Sequence, residues 1–372
     1  MIVFNKRINV FLFLFSFFLV TGNTEAQKTK PGSATVKPAT GNVWTIEKAK
    51  AWYAENKWIT GANFLPSTAI NQLEMWQAQT FDSATIDREL GWAENIGFNT
   101  MRVYLHSVAW KQDPQGFKSR INRYLNIADK HRIKTLFVFF DDCWNPIPHP
   151  GKQPDPKPGV HNSGWVQDPG KPLSYDTTLF PELEAYLTDV MTHFAKDKRI
   201  LLWDLYNEPG NSDKRDSSLP LLKKVFSWAR AVNPEQPVSA GLWAWDFEKL
   251  NEFQLLNSDI ITYHNYEDQP WHLRTIELLK ANGRPLICTE YMARTRNSRF
   301  STILPLLKKQ NVGAINWGFV AGKSNTIYAW DTPLPSGEQP VEWFHDIFLK
   351  DGTPYRQDEI NLIKKLTSTA NK

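Results

Sequence analysis

Two glutamates stand where mostly apolar runs give out. Glu208 follows Trp203-Asp204-Leu205-Tyr206-Asn207 and precedes Pro209; Glu290 closes Leu286-Ile287-Cys288-Thr289. Taken singly, each reads as readily as a helix cap or a salt-bridge partner. Facing each other across a narrow space, they would supply an acid and a nucleophile or base, the two groups that glycosidic bond cleavage needs. Similar runs end in Asn63-Phe64, in Arg102 and His106, in Asp141-Asp142, in Trp243 and Trp245, in His264 and Tyr266, and in Trp317. Whether these residues meet depends on the elements that carry them.

From Trp44 the chain alternates short apolar or β-branched runs with amphipathic stretches, the texture of βα units around a parallel sheet. The runs predict strands at Trp58–Pro66, Phe98–His106, Lys134–Asp142, Ile200–Glu208, Gln236–Trp245, Asp259–Tyr266, Pro285–Tyr291 and Val312–Gly318. Helical spacing predicts helices at Thr85–Ile96, Phe117–His131, Pro181–Lys196, Leu219–Val232, Trp271–Ala281 and Phe300–Gln310. An extra helix, Lys48–Asn56, precedes the first strand and is expected to cover the barrel floor. Eight strand–helix units predict an α/β protein with a single-domain (β/α)₈ TIM barrel and a long loop after the third strand. A doubly wound sheet would want a Gly-rich phosphate loop after an early strand, and the sequence has none. In a barrel the strand C-terminal ends share one rim, and the fourth and seventh strands, bearing Glu208 and Glu290, lie nearly opposite each other.

Composition narrows the function classes. The 372 residues carry 43 Lys+Arg against 39 Asp+Glu, a net +4 without the clustered basic residues of a nucleic-acid footprint. Two cysteines, Cys143 and Cys288, exclude a Cys-rich metal site or a disulfide-knit module; free buried thiols are expected, with no His beside either to make it a nucleophile. Residues 1–26 read as a signal peptide: Lys6 and Arg7, then the 13-residue apolar run Ile8–Val20, then small residues up to Ala26. That run is too short to span a bilayer. Residues 27–43 read as a flexible leader and 44–372 as the catalytic domain, so a secreted or periplasmic protein is expected, with no membrane association once the signal is cleaved.

In that strand order the sequence resembles the retaining glycoside hydrolases of clan A, especially the cellulase and mannanase type of glycoside hydrolase family 5. The resemblance rests on Asn207-Glu208-Pro209, on Glu290, on Gly97-Phe98-Asn99-Thr100-Met101-Arg102-Val103, on His264-x-Tyr266 and on Trp317, and covers about Trp58 to Trp317. It implies Glu208 as general acid/base and Glu290 as nucleophile, acting by double displacement on a β-linked glucan, mannan or xylan without a cofactor or metal. It further implies that Asn207 holds the 2-hydroxyl, Arg102 and Tyr266 bond Glu290, His264 borders Glu208, and Trp317 stacks under the reacting sugar. A carbohydrate substrate is the expected partner, with no nucleic acid, and a monomer is expected. A transglycosylase using the same pair, or a barrel that binds carbohydrate without cleaving it, are the alternatives.

The family often has a His closing the third strand; this chain has Asp141-Asp142-Cys143-Trp144. The acidic pair would contact sugar hydroxyls, or be structural with one Asp on backbone; a cation site lacks an oxygen-rich loop motif. His106 reads as a sugar contact or a surface residue. Arg102 alone could be a barrel-closing salt bridge, and His264 a core histidine. The insertion from Cys143 to Leu179 springs from the catalytic rim with Trp144 and Trp165, which predicts a cleft wall; His149 and His161 within it lack metal-ligand spacing. Of 16 Trp, Trp165, Trp243, Trp245, Trp317 and Trp330 fall on the rim side as sugar platforms, and Trp52, Trp92, Trp203 and Trp228 read as core.

Overall fold

A computed structural model of the chain describes residues 42–368. The signal segment and all but the last two residues of the leader lie outside the described residues. The strands are β1 (Thr60–Asn63), β2 (Thr100–Tyr104), β3 (Lys134–Asp141), β4 (Ile200–Asn207), β5 (Val238–Ser239), β6 (Ile261–His264), β7 (Leu286–Glu290) and β8 (Gly313–Asn316). The helices are α1 (Ile46–Glu55), α2 (Gln72–Trp76), α3 (Ser83–Asn95), α4 (Ser107–Gln112), α5 (Pro114–Lys130) and α6 (Phe180–Phe194). They continue with α7 (Leu219–Val232), α8 (Glu248–Asn257), α9 (Gln269–Lys280), α10 (Phe300–Lys309) and α11 (Gln357–Ser368). Among the described residues no helix is long and apolar enough to cross a membrane.

The strands pair in parallel in the order β5-β4-β3-β2-β1-β8-β7-β6, and a parallel bridge between Leu242, just past β5, and Tyr263 joins the two ends. This is the (β/α)₈ barrel that the alternation predicts. β5 is the largest departure: only Val238–Ser239 keep ladder geometry, because the chain leaves β4 there and the closing bridge falls three residues later, at Leu242.

The helices form for legible reasons. In α5, the Asp113 carboxylate accepts from Gly116 N–H, Pro114 opens the first turn, and Phe117, Ile121, Tyr124, Leu125 and Ala128 are buried. Helix α1 closes the floor: Trp44 N–H donates to Asp259 at 2.8 Å and Tyr53 Oη to Asn311 O at 3.2 Å, both just below strands. Above it Leu136, Leu202, Ile287 and Ile315 fill the lumen. Helices α2, α4, α8 and α11 stand outside the predicted set: α8 buries Gln254 and Asn257 along with Leu250 and Phe253, whereas α11 is amphipathic and buries Ile360 and Ile363. Trp203 and Trp228 are core as expected, whereas Trp52 and Trp92 are only half-buried.

Two irregularities bear on the rim. The β6–β7 register slips after Tyr263↔Cys288, so that His264 pairs with Glu290 instead of Thr289. The chain also leaves β3, β4, β7 and β8 through left-handed residues, Trp144, Glu208, Met292 and Gly318. For Glu208, at φ +44°, such a conformation costs on the order of 1 kcal/mol or more and must be held by its surroundings.

Candidate active site

Glu290 closes β7 and lies in a ring of donors. Arg102 Nη1 donates to Oε1 at 2.7 Å, Tyr104 Oη to the same oxygen at 2.9 Å, and Tyr266 Oη to Oε2 at 2.8 Å. Arg102 is fully buried and spends its remaining donors nearby: Nε and Nη2 on Asp204 Oδ2 at 3.0 and 2.8 Å, Nη2 on Asn207 Oδ1 at 2.7 Å, and Nη1 on Asn63 Oδ1 at 2.8 Å. The fixed fork of guanidinium donors is what allows one side chain to tie β1, β4 and β7 together. Arg102 is therefore both the interior salt bridge and the partner of Glu290.

Glu208 sits one residue past β4. His264 Nδ1 lies 2.8 Å from its Oε1, the Cys143 thiol donates to Oε2 at 3.3 Å, and Asn211 Nδ2 bonds Oε2 as well. The turn that carries it is pinned by Asp142. That carboxylate accepts from Gly210 N–H at 2.8 Å, Tyr206 Oη at 2.8 Å, Ser218 Oγ at 2.5 Å and Lys214 Nζ at 2.6 Å. These bonds over-determine the left-handed backbone at Glu208 and aim its side chain across the lumen. One ligand atom from each of Glu208, His264 and Glu290 lies within 4.8 Å of the others. A cation could use that spacing, but the Arg102 guanidinium already supplies positive charge to Glu290.

Burial pushes both carboxyls above the ordinary range. At Glu290 the rise is opposed by charge interactions with His264 and Arg102 and by the Tyr266 hydroxyl. Burial holds His264 itself down at about 4, so at neutral pH its ring is uncharged and Arg102 is the cation that remains. At Glu208 the largest opposing influences are two uncharged donors, Cys143 and Asn211. Glu290 thus has a charged group among its nearest donors, whereas Glu208 has only neutral ones. Arg102 stays charged: burial pulls it down, but the Asp204 and Glu290 carboxylates outweigh that.

These side chains floor a cleft of about 690 Å³, whose lining includes Asn207, Glu208, Glu290, Tyr266, Trp317 and Trp330. Trp243 lines it too, its Nε1 donating to Pro209 O at 3.1 Å. Arg102 and His264 stand just behind. Asp141 is buried, accepting from Asn207 Nδ2 at 2.9 Å and Trp165 Nε1 at 2.6 Å; burial raises it to about 6. Asp142 is buried beneath the Glu208 turn and His106 beneath the loop after β3. His106 Nδ1 accepts from Val108 N–H and Nε2 lies 3.2 Å from Gln167 O, so it caps α4 and is no surface residue. Trp245 is 53% exposed and outside the cleft lining, because β5 ends early and its loop turns outward. Both cysteines are free and buried.

Sequence reasoning passed over Tyr104, Asn211 and the Cys143 contact. Tyr104 falls two residues past Arg102, on the same face of β2, a period-2 signal that could have found it. Asn211 lies in a turn, where no periodicity points.

A sequence model described as Cellulase (glycosyl hydrolase family 5) matches residues 92–322. No curated protein matches the sequence. Among solved structures, the endo-β-1,4-mannanase from Thermotoga petrophila is 15% identical, with a TM-score of 0.55 over 84% of this chain and 77% of that one. The endo-1,4-β-mannanase from Rhizomucor miehei is 12% identical, with a TM-score of 0.56 over 84% and 94%. The exo-β-1,4-mannosidase Op5Man5 from Opitutaceae bacterium strain TAV5 is 17% identical, with a TM-score of 0.57 over 83% and 59%. At such identities the likeness is one of fold; the family match, from α3 through the rim of β8, takes in both glutamates and Arg102. The chain belongs to glycosyl hydrolase family 5 and is a glycosidase.

Proposed function

We propose that the protein is a retaining β-glycoside hydrolase in which Glu208 is the acid/base and Glu290 the nucleophile. The observation that carries this is the approach of the two carboxyl groups, with one oxygen of each within 4.8 Å, combined with a guanidinium that bonds Glu290 and does not bond Glu208. A separation of about 5–5.5 Å suits direct attack on the anomeric carbon, whereas inversion needs about 6.5–9.5 Å to admit a water. Glu290 attacks the anomeric carbon while Glu208 gives its proton to the departing oxygen. A covalent glycosyl-enzyme forms. Glu208, now ionised, takes a proton from water as that water attacks the same carbon, and Glu290 leaves. Asn207 and Trp317 both line the cleft, which supports a bond from Asn207 to the 2-hydroxyl and a flat apolar face from Trp317 under the sugar ring.

The structural neighbours named above act on β-1,4-mannan or mannosides, so aryl β-mannoside is the first substrate to try, followed by the glucoside and xyloside. The test is the anomeric configuration of the first-formed product by proton NMR, before mutarotation. A β-anomer is expected; an α-anomer contradicts the double displacement. Export is part of the proposal, on the basic start and apolar run at residues 6–20. N-terminal sequencing of protein expressed in its own secretory context should begin at Gln27, and retention of Met1 would contradict it.

A further inference from the structure

The rim of the barrel is uneven. Long loops follow β3 (residues 142–176) and β8 (residues 317–356), whereas only residues 240–247 separate β5 from α8 and residues 265–268 separate β6 from α9. Strands β1 and β2 lie between β8 and β3 in the sheet, so loops from β8 and β3 that bond each other cross that sector. They do bond. Asn162 N–H donates to Ser324 O at 2.9 Å, Leu334 N–H to Gly159 O at 2.9 Å, and His161 Nδ1 lies 2.8 Å from Tyr328 O. The loop after β1 locks both: Asn71 Nδ2 donates to Gly164 O at 2.8 Å, and Lys323 N–H to Ser67 O at 3.1 Å.

At Gly159 and Gly322 the seams are backbone against backbone. A Cβ on Gly159, which has φ +67°, would stand 1.5 Å from Leu334 O, and one on Gly322 would stand 2.6 Å from Ser67 Cα. The wall begins directly behind the sugar platform, since Trp165 packs edge-on against Trp317 with ring centroids 5.5 Å apart.

A leaving group must lie against its general acid. With Glu208 beyond β4, it departs over the β4–β5 sector, where Asn211 and Trp243 line the cleft, short of Trp330, which the β8 loop sets against Tyr266. The rest of a polysaccharide, on the non-reducing side of the reacting sugar, would run the opposite way, into the joined loops. We infer, resting on the retaining mechanism proposed above, that the cleft is blind at its glycone end and that the enzyme removes single terminal sugars from non-reducing ends of β-linked chains.

The experiment uses β-1,4-linked manno-, gluco- and xylo-oligosaccharides reduced at their reducing ends, each with a twin whose terminal non-reducing sugar carries a 4-O-methyl cap. Early products are read by mass spectrometry. Monosaccharide as the first product is expected, with the capped twins cleaved at least 100-fold more slowly. Di- or trisaccharides appearing first, or equal cleavage of capped chains, would overturn the blind end while leaving the retaining mechanism intact. Cleavage with the α-anomer formed first would instead strike at that mechanism. The Gly159→Val variant forces the seam at Leu334 apart. Once circular dichroism shows it folded, its rate on capped chains relative to an aryl β-glycoside should rise at least tenfold, and no rise would mean that the wall is not the barrier.

Discussion

The Cys143 thiol donates to Oε2 of Glu208 at 3.3 Å, and Asn207 and Asn211 each turn an amide nitrogen toward the sulfur at 3.4 Å. A residue two positions past β3 is thus fastened to the proposed acid. A donor to a carboxylate stabilises its ionised form and lowers its pKa. Cys143→Ala removes that donor, so the pKa of Glu208 should rise. In the proposed first step Glu208 must be protonated, so activity at high pH should be lost as it ionises. The basic limb of kcat/KM should therefore move to higher pH in Cys143→Ala, and Cys143→Ser should restore it toward the wild-type position. An unmoved or downward-shifted limb would show that the thiol does not set this proton.

Tyr266 predicts the opposite limb. Its hydroxyl, 2.8 Å from Oε2 of Glu290, favours the ionised form of the proposed nucleophile. Tyr266→Phe leaves the ring packed against Trp330 but removes the donor, so the pKa of Glu290 should rise. The proposed nucleophile works ionised, so activity should be lost as it takes up a proton. The acidic limb should shift upward, and kcat should fall by roughly 10²–10³, the effect of losing one preorganised donor. A pH–rate profile with an unchanged acidic limb would contradict this.

Asp142 separates a sugar contact from an anchor. Its four bonds hold the turn at Glu208, and it does not line the cleft. Asp142→Ala leaves the buried Lys214 ammonium without its partner, which should cost about 3–5 kcal/mol of stability. Thermal unfolding should fall accordingly, and kcat should drop with KM nearly unchanged, because the acid is misaimed and no contact with substrate is lost. A raised KM at wild-type kcat would mark Asp142 as a sugar ligand.

The barrel was legible because its strands are short apolar runs between amphipathic helices, and the rim was legible because polar residues end those runs. Glu208, Glu290, Arg102, His264 and Tyr266 meet for that reason. His106 and Trp245 defeat the same logic. Both end apolar runs, yet β2 stops at Tyr104, so that His106 tucks under a loop to cap α4, and β5 stops at Ser239, six residues before Trp245. Strand ends depend on ladder partners from distant parts of the chain, which local pattern does not contain. Asp142 was legible in part: a structural pair with one Asp on backbone was one of its two readings, but its donors Tyr206, Gly210, Lys214 and Ser218 are brought to one carboxylate only by the fold.

The central claim is that Glu290 forms the covalent bond to the sugar. Glu290→Ala, assayed on an activated aryl β-glycoside, tests it most directly. Turnover should fall by roughly 10⁴-fold or more, on the scale of removing a nucleophile that acts as part of a unit. Added azide should then restore it by attacking from the vacated face, giving an α-glycosyl azide. Near wild-type turnover in Glu290→Ala, or a rescued product that keeps the β configuration, would contradict the account.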